Sequence, residues 1–261
     1  MLCLLGHYHK RSLDKRLPGY FCLFFHTRTK QHHATLLTLL TMSASANPLG
    51  GVPDISYWNE DHFALGESYR LFFVDAGIPY TNTVVRWADW TATVKPSLLA
   101  SGRNPAGTLP VVSIGDTHYF QLAPTLRLFA TKLGKYGPPA NDDNAAYVID
   151  QVADLCADAR GQSFVFHVKD QDAIDKFTKV KLPAFAKAFD VLLGRASPAG
   201  PFFGGAEPCY VDFIVYQLMM DEDLKGSMLE GLDRLKKYKT ALEARPKIRA
   251  YLGDEIIAKR Q

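Results

Sequence analysis

The residues best placed to do chemistry lie in one run, Asn104-Pro105-Ala106-Gly107-Thr108-Leu109-Pro110-Val111-Val112, followed after a charged turn by Tyr119-Phe120-Gln121. Leu109-Pro110 enters a short apolar strand, where proline's missing N–H is tolerated and a cis peptide bond is plausible. A cis bond would turn the Leu109 N–H and C=O outward, free to pair in antiparallel fashion with a bound peptide. That is one way to hold a small thiol peptide; the alternative is an ordinary turn before an ordinary strand. Metal and dithiol chemistry have no comparable pattern. The cysteines, Cys3, Cys22, Cys156 and Cys209, show no C-x-x-C spacing and no zinc-type His/Cys cluster, the usage of a reducing compartment without a disulfide framework.

The elements that must position this run are legible around it. Val52 to Tyr57 reads as a strand, followed by a loop from Trp58 to His62 and a helix from Phe63 to Ala76 that Gly77 and Ile78-Pro79 end. Tyr80 to Val85 is a second strand, and strand, helix and strand of this length make a parallel βαβ unit. Residues 86–103 read as a loop and a short helix carrying Trp87, Trp90 and Lys95. Pro110 to Ile114 and Thr117 to Phe120 form a hairpin around Gly115-Asp116. A helix follows from Gln121 to Leu133, with Leu126, Leu128, Phe129 and Leu133 inward. The sum is β-α-β, a loop, then β-β-α: a small mixed four-stranded sheet.

Gly137-Pro138-Pro139 marks a linker, and beyond it the pattern is almost all helical, over 141–168, 171–194, 208–222, 227–244 and a short piece from Pro246 to Leu252. The expected organisation is an N-terminal extension (1–50), an α/β domain (51–135), an all-α domain (141–254) and a tail (255–261). Residues 1–41 differ in composition. They hold five histidines and six Lys/Arg against one acid, a charge of +5 that leaves −2 for residues 42–261 out of a net +3. Met42 is one candidate start, an organelle presequence another, and a signal-like segment a third. A slightly acidic body without a basic stripe gives no case for nucleic-acid binding, and no run reaches the length of a membrane span.

Taken together, four islands resemble the cytosolic glutathione S-transferases, over about residues 54–254. Ile55-Ser56-Tyr57-Trp58-Asn59 with Glu67 and Arg70 is similar to the strand-one and Glu-x-x-Arg pattern of the sigma, mu and pi classes, with a loop two residues longer. Ala88-Asp89-Trp90 with Lys95 resembles their Ala-Asp-Trp…Lys segment, one residue longer. Asn104 to Val112 resembles their Pro-x-Gly-x-Leu-Pro-Val-Leu motif. Ala206 to Phe213 resembles the motif that opens a buried helix of their second domain. The fold implied is a thioredoxin-like domain with a cis-proline followed by a helical-bundle domain.

The resemblance also implies roles. Tyr57 would donate its phenolic hydrogen to the glutathione sulfur and favour the thiolate. Thr108, Leu109 and Pro110 would pair with the tripeptide backbone, Trp90 and Lys95 would hold its glycyl carboxylate, and Gln121 and Leu122 would cradle the γ-glutamyl group at a helix start. The family usually has Gln-Ser at that point, so Leu122 lacks a hydroxyl. Asp154 would reach the γ-glutamyl amine of the neighbouring subunit in a homodimer, and Asp212 would be structural, within an N-cap whose other member is Cys209. Trp58, Phe63, Tyr147, Cys156, Arg160 and Phe164 would line the pocket of a small hydrophobic electrophile. The implied reaction is conjugation of glutathione as co-substrate, without a metal, in the cytoplasm (or the mitochondrion, if residues 1–41 are a presequence). A glutathione-dependent isomerase or peroxidase fits the same site. A non-catalytic ligand carrier or interaction protein is the competing class, and a thiol-disulfide oxidoreductase is more distant.

Overall fold

The alternation of Asp54, Ile55, Ser56 and Tyr57 sets the first element of the computed structural model, which describes residues 47–58, 64–163, 170–197, 200–220, 229 and 231–259. Strand β1 (Asp54–Tyr57) buries Ile55 and Tyr57 on one face and leaves Asp54 and Ser56 half-covered on the other. It pairs in parallel with β2 (Thr81–Val84) and antiparallel with β3 (Val111–Ile114), and β3 pairs antiparallel with β4 (Thr117–Phe120). The order is β2-β1-β3-β4. Asp54 ties the parallel pair, its Oδ1 accepting from the hydroxyls of Thr81 at 2.7 Å and Thr83 at 3.0 Å.

Helix α1 (Ala64–Ala76) makes the crossover from β1 to β2. It ends where glycine is needed: Gly77 has φ +71° and the Ile78 N–H reaches back to the Phe73 carbonyl at 2.9 Å, a Schellman-type stop. Within α1 the pair Glu67–Arg70 (3.2 Å, both side chains 1% exposed) is buried, and the Arg70 Nε donates to Asn82 on β2 at 3.0 Å. Tyr251, near the end of the chain, donates to the same Glu67 at 3.0 Å. These two residues of the Glu-x-x-Arg pattern therefore hold α1 between the sheet and the last helix.

Residues 86–103 are more helical than their sequence suggests. A continuous helical run, α2, covers 87–100 as Trp87–Asp89, a π turn Trp90–Val94, and Lys95–Ala100. Trp90 is buried and the rest of α2 is mostly exposed, so no apolar stripe announces it. The wide turn, closed by the Lys95 N–H on the Trp90 carbonyl, lies in the segment that is one residue longer than the one it resembles. Helix α3 (Leu122–Leu133) follows β4 and stops at Gly134, φ +64°. Leu126 and Phe129 face inward as expected; Leu128 does not, at 40% exposed, because the buried face of α3 runs through Thr125, Leu126, Phe129 and Ala130.

The helical half comprises α4 (Asp143–Gln162), α5 (171–196, with a π turn at Phe177–Lys181), α6 (Tyr210–Met220), α7 (Asp233–Glu243) and α8 (Pro246–Lys259, broken at Gly253). Asp142 and Asp170 cap α4 and α5, each accepting the third backbone N–H onward, at 2.9 Å and 3.1 Å. Helix α6 is buried along its whole length. Its Phe213 meets Phe72 of α1 edge-on at 5.6 Å, so one hydrophobic core runs through both halves of the compact unit 43–261. A polar clamp reinforces the junction: Arg245 donates to Asp75 at 2.6 Å and 2.9 Å, and Tyr136 of the linker donates to the same carboxylate at 2.9 Å.

Candidate active site

A cavity of about 560 Å³ opens between the two halves, within the size range of small-molecule sites. Its sheet-side wall is Thr108, Leu109, Pro110, Gln121 and Leu122, with Leu65 of α1; its helical wall comes from α4 and α6. The wall begins with a loop that its sequence shapes tightly. Asn104 is fully buried, its side chain donating to the Thr108 carbonyl at 2.7 Å and accepting the Gly107 N–H at 3.1 Å. Gly107 takes φ +56°, and the Leu109-Pro110 bond that follows is cis.

Gln121 is the other conformational signature of this wall. It has φ +68°, uncommon for a residue with a side chain, and it stands as the N-cap of α3 without capping the helix through its own amide. The first backbone N–H groups of α3 consequently start beside the cavity, which Leu122, Ala123 and Pro124 also line. Thr125 steadies the turn, its hydroxyl donating to the Phe120 carbonyl at 3.1 Å.

Asp154, Cys156 and Arg160 of α4 stand on the opposite wall, so six of the residues singled out for the tripeptide and two of those singled out for the electrophile share one cavity. Asp154 is exposed and faces the cavity of its own chain. The Arg160 Nη2 donates to the Gln217 Oε1 of α6 at 3.0 Å. Burial pushes the Cys156 thiol well up, and it does the same to Cys209, with the Asp212 carboxylate adding to the effect. Both thiols are held in the neutral form at pH 7, which does not suit thiol-disulfide exchange.

Tyr57, Trp58, Trp90, Lys95 and Tyr147 are outside the cavity wall. Tyr57 is 7% exposed at the end of β1, its ring packed against α1 at Gly66, where an added Cβ would come within 2.8 Å of it. All three tryptophans of the chain join in one cluster. The Trp58 ring lies 5.5 Å from Trp87 and 5.5 Å, edge-on, from the buried Trp90. The Lys95 stem lies over Gly107, an added Cβ there meeting its Cε at 3.0 Å. Tyr147 is 65% exposed at the start of α4. Phe63 and Phe164 lie outside the described residues.

Asp212, near the start of α6, is fully buried and is not a lining residue of the cavity. Its carboxylate accepts the backbone N–H groups of Phe203 at 2.9 Å and Cys209 at 2.7 Å, fastening the start of α6 to the preceding loop. Burial raises it to about 6, with the N–H donors of Phe203 and Cys209 opposing. Asp150, one turn before Asp154, instead joins α3 to α6, bound to Arg127 at 2.8 Å and accepting the Tyr210 hydroxyl at 2.7 Å.

Sequence reasoning missed Leu65, Ile214, Gln217 and Leu218 of the cavity wall. Gln217 carried a readable signal: in the apolar helix Tyr210–Met220 a buried amide demands a polar partner. The three apolar residues carried none, since they read equally well as core.

Among known proteins, the model of the glutathione S-transferase C-terminal domain matches residues 157–255. Similar curated proteins include human glutathione S-transferase P, 28% identical over 187 residues (70% of this chain, 84% of that protein). Xenopus laevis glutathione S-transferase P 1 is 29% identical over 202 residues (74% and 89%). Among solved structures, the glutathione S-transferase from Ascaris lumbricoides matches with a TM-score of 0.61 at 24% identity, covering 80% of this chain and 98% of that one. With the β2-β1-β3-β4 sheet and the helical half behind it, these likenesses support a place for the chain in the cytosolic glutathione S-transferase superfamily.

Proposed function

We propose that this chain is a glutathione S-transferase, which activates the glutathione thiol for attack on a hydrophobic electrophile. The observation that carries the reading is the shared cavity. One wall offers a peptide-pairing edge at Thr108–Leu109 ahead of a cis-proline, with a helix start at Leu122; the facing wall is mostly apolar. An extended tripeptide suits the first wall and an apolar co-substrate the second. Asp154 is a partner for an ammonium group from either this subunit or the next in a homodimer.

Glutathione supplies the nucleophilic sulfur; a thiol of pKa about 8.5 is mostly protonated at neutral pH. Bringing it down by about two units takes about 2.7 kcal/mol of selective thiolate stabilisation. In this reading one hydrogen bond from the Tyr57 hydroxyl, helped by the positive end of α3, supplies it. Trp90 and Lys95 hold the glycyl end, and Gln121 with the Leu122 N–H holds the γ-glutamyl end. An isomerase or peroxidase activity would use the same thiolate.

A second reading, a non-catalytic carrier of apolar ligands, is favoured by two observations. Leu122 lacks the hydroxyl of its counterparts, and Tyr57 is packed on Gly66 rather than set in the cavity wall. Retention on glutathione resin, followed by turnover of a chlorodinitrobenzene, separates them. The transferase reading expects both, with turnover falling about tenfold to a hundredfold in Tyr57→Phe. Apolar ligand binding with no turnover in either protein establishes the carrier and refutes the transferase.

A further inference from the structure

Away from the cavity between the halves, a second concavity runs along the outward contact of α4 with α5, an open groove of about 490 Å³. It shares no lining residue with the first. Leu155 of α4 and Ala188 and Leu192 of α5 give it apolar surface, and Val191 adds to it at 41% exposed. The core does not need these residues, because α5 already buries Leu182, Ala186, Phe189 and Leu193 on its inward face. Being open on one side, the groove would enclose little of a small ligand, which buries most of its surface in its site. An elongated body lying along the two helices suits it better.

Its charges are of one sign. Lys187 and Arg195 line the groove, both exposed, and neither joins an ion pair or hydrogen bond among the described residues. They stand eight residues apart on α5, about 12 Å along its axis. The one acid between them in sequence, Asp190, is turned inward, accepting from Arg234 at 3.1 Å and from the Leu235 N–H at 3.3 Å. Two cations flanking apolar surface decide the sign of the occupant. Residues 1–41 of this chain carry +5 and would be repelled. A second copy laid face to face would set Lys187 and Arg195 against their own counterparts. A bilayer is flat and would meet the rim without filling the floor. A helix with carboxylates on its flanks and apolar side chains between them satisfies both features.

We infer that the α4–α5 groove docks an acidic amphipathic helix of a partner protein, with Lys187 and Arg195 meeting its carboxylates and Leu155, Ala188 and Leu192 its apolar stripe. Acids seven residues apart lie on one helix face, about 10.5 Å from each other along the axis, within reach of the two long cationic side chains. Apolar residues three and four positions after the first acid then face the groove. Ala188, having only a methyl group, lets the partner's backbone approach. The contact area is small, so the complex is a transient one. None of this depends on the transferase reading.

The test uses the full chain and two labelled Ala-rich helical peptides of about 15 residues, followed by fluorescence anisotropy. One peptide carries Glu at two positions seven apart with Leu three and four after the first; the other carries Lys in place of Glu. Wild type is expected to bind the Glu peptide with a Kd of about 10 to 100 µM and the Lys peptide at least about tenfold more weakly. The double variant Lys187→Glu/Arg195→Glu reverses the preference, a gain of binding that a damaged fold does not produce. The milder Lys187→Gln lowers the preference about threefold, and serves if the double variant melts early. Ala188→Tyr fills the floor and weakens the Glu peptide at least about fivefold. No binding of the Glu peptide, equal affinities for the two, a preference untouched by Lys187→Gln and the double variant, or full affinity in Ala188→Tyr would each overturn the assignment. Flotation with phosphatidylserine vesicles and sedimentation of the chain alone read the other occupants. Vesicle binding or self-association that the double variant loses, without a preference for the Glu peptide, gives the face to lipid or to a second copy and overturns the partner helix.

Discussion

Asp212 gives the sharpest quantitative expectation. It is fully buried, and burial raises its carboxyl to about 6 against the pull of the backbone N–H groups of Phe203 and Cys209. An unfolded aspartate titrates near 3.9, so between about pH 4 and pH 6 the folded protein binds the proton and the unfolded chain does not. Stability then falls as pH rises, since the slope follows protons bound unfolded minus folded, here negative. The contribution is fully present below about pH 4 and is lost as pH rises through about 6. About two units at 1.36 kcal/mol each amount to about 3 kcal/mol. Other groups titrate in the same window, so the measurement is a difference: urea unfolding of wild type and Asp212→Asn at a series of pH values. The Asn amide imposes a roughly constant cost by facing N–H groups with its own donor, whereas the slope belongs to the carboxyl. Wild-type stability minus variant stability is expected to drop by about 3 kcal/mol from pH 4 to pH 7. A flat or rising difference would refute the reasoning, by showing that the backbone donors outweigh burial.

Three further outcomes follow from the geometry. Gly66→Ala would normally favour a helix, but its Cβ would lie 2.8 Å from the Tyr57 ring, so it should cost about 1 to 3 kcal/mol and shift Tyr57, seen as a lower melting temperature together with reduced turnover. Glu67→Gln removes the buried charge that meets Arg70 at 3.2 Å and should destabilise by about 3 kcal/mol in chemical unfolding; a loss below about 1 kcal/mol would show that the remaining surroundings of Arg70 suffice. Leu122→Ser supplies the missing hydroxyl at the start of α3 and should tighten glutathione by about 1 to 2 kcal/mol in calorimetry; no change would mean that another group already serves there.

Much of the fold was legible because its signals are local. The alternation in β1, the Gly115-Asp116 hairpin, the glycine after α1 and the Leu-Pro step each act through neighbouring residues and appear at the expected positions. Helix α2 was read only as a loop and a short helix because its outward residues are not matched by an apolar stripe; it is helical over 87–100 through backbone bonding and one buried tryptophan. Leu128 was misjudged for the opposite reason: an apolar side chain in a helix does not reveal which face the rest of the chain will cover. The cavity wall was readable where a motif fixes the backbone, as at the cis Leu109-Pro110 step, and much less so on α4 and α6. There, residues far apart in sequence meet only after packing, and a buried glutamine was the one clue.

The Asp75 clamp has a consequence for how the molecule comes apart. The carboxylate at the end of α1 is gripped by a guanidinium 170 positions later and by a phenol on the segment joining the halves. The chain is thereby fastened into a ring, so neither half can loosen without breaking the same knot. Nicking the connection between them should sever the polypeptide yet leave the fragments held together, melting in a single step.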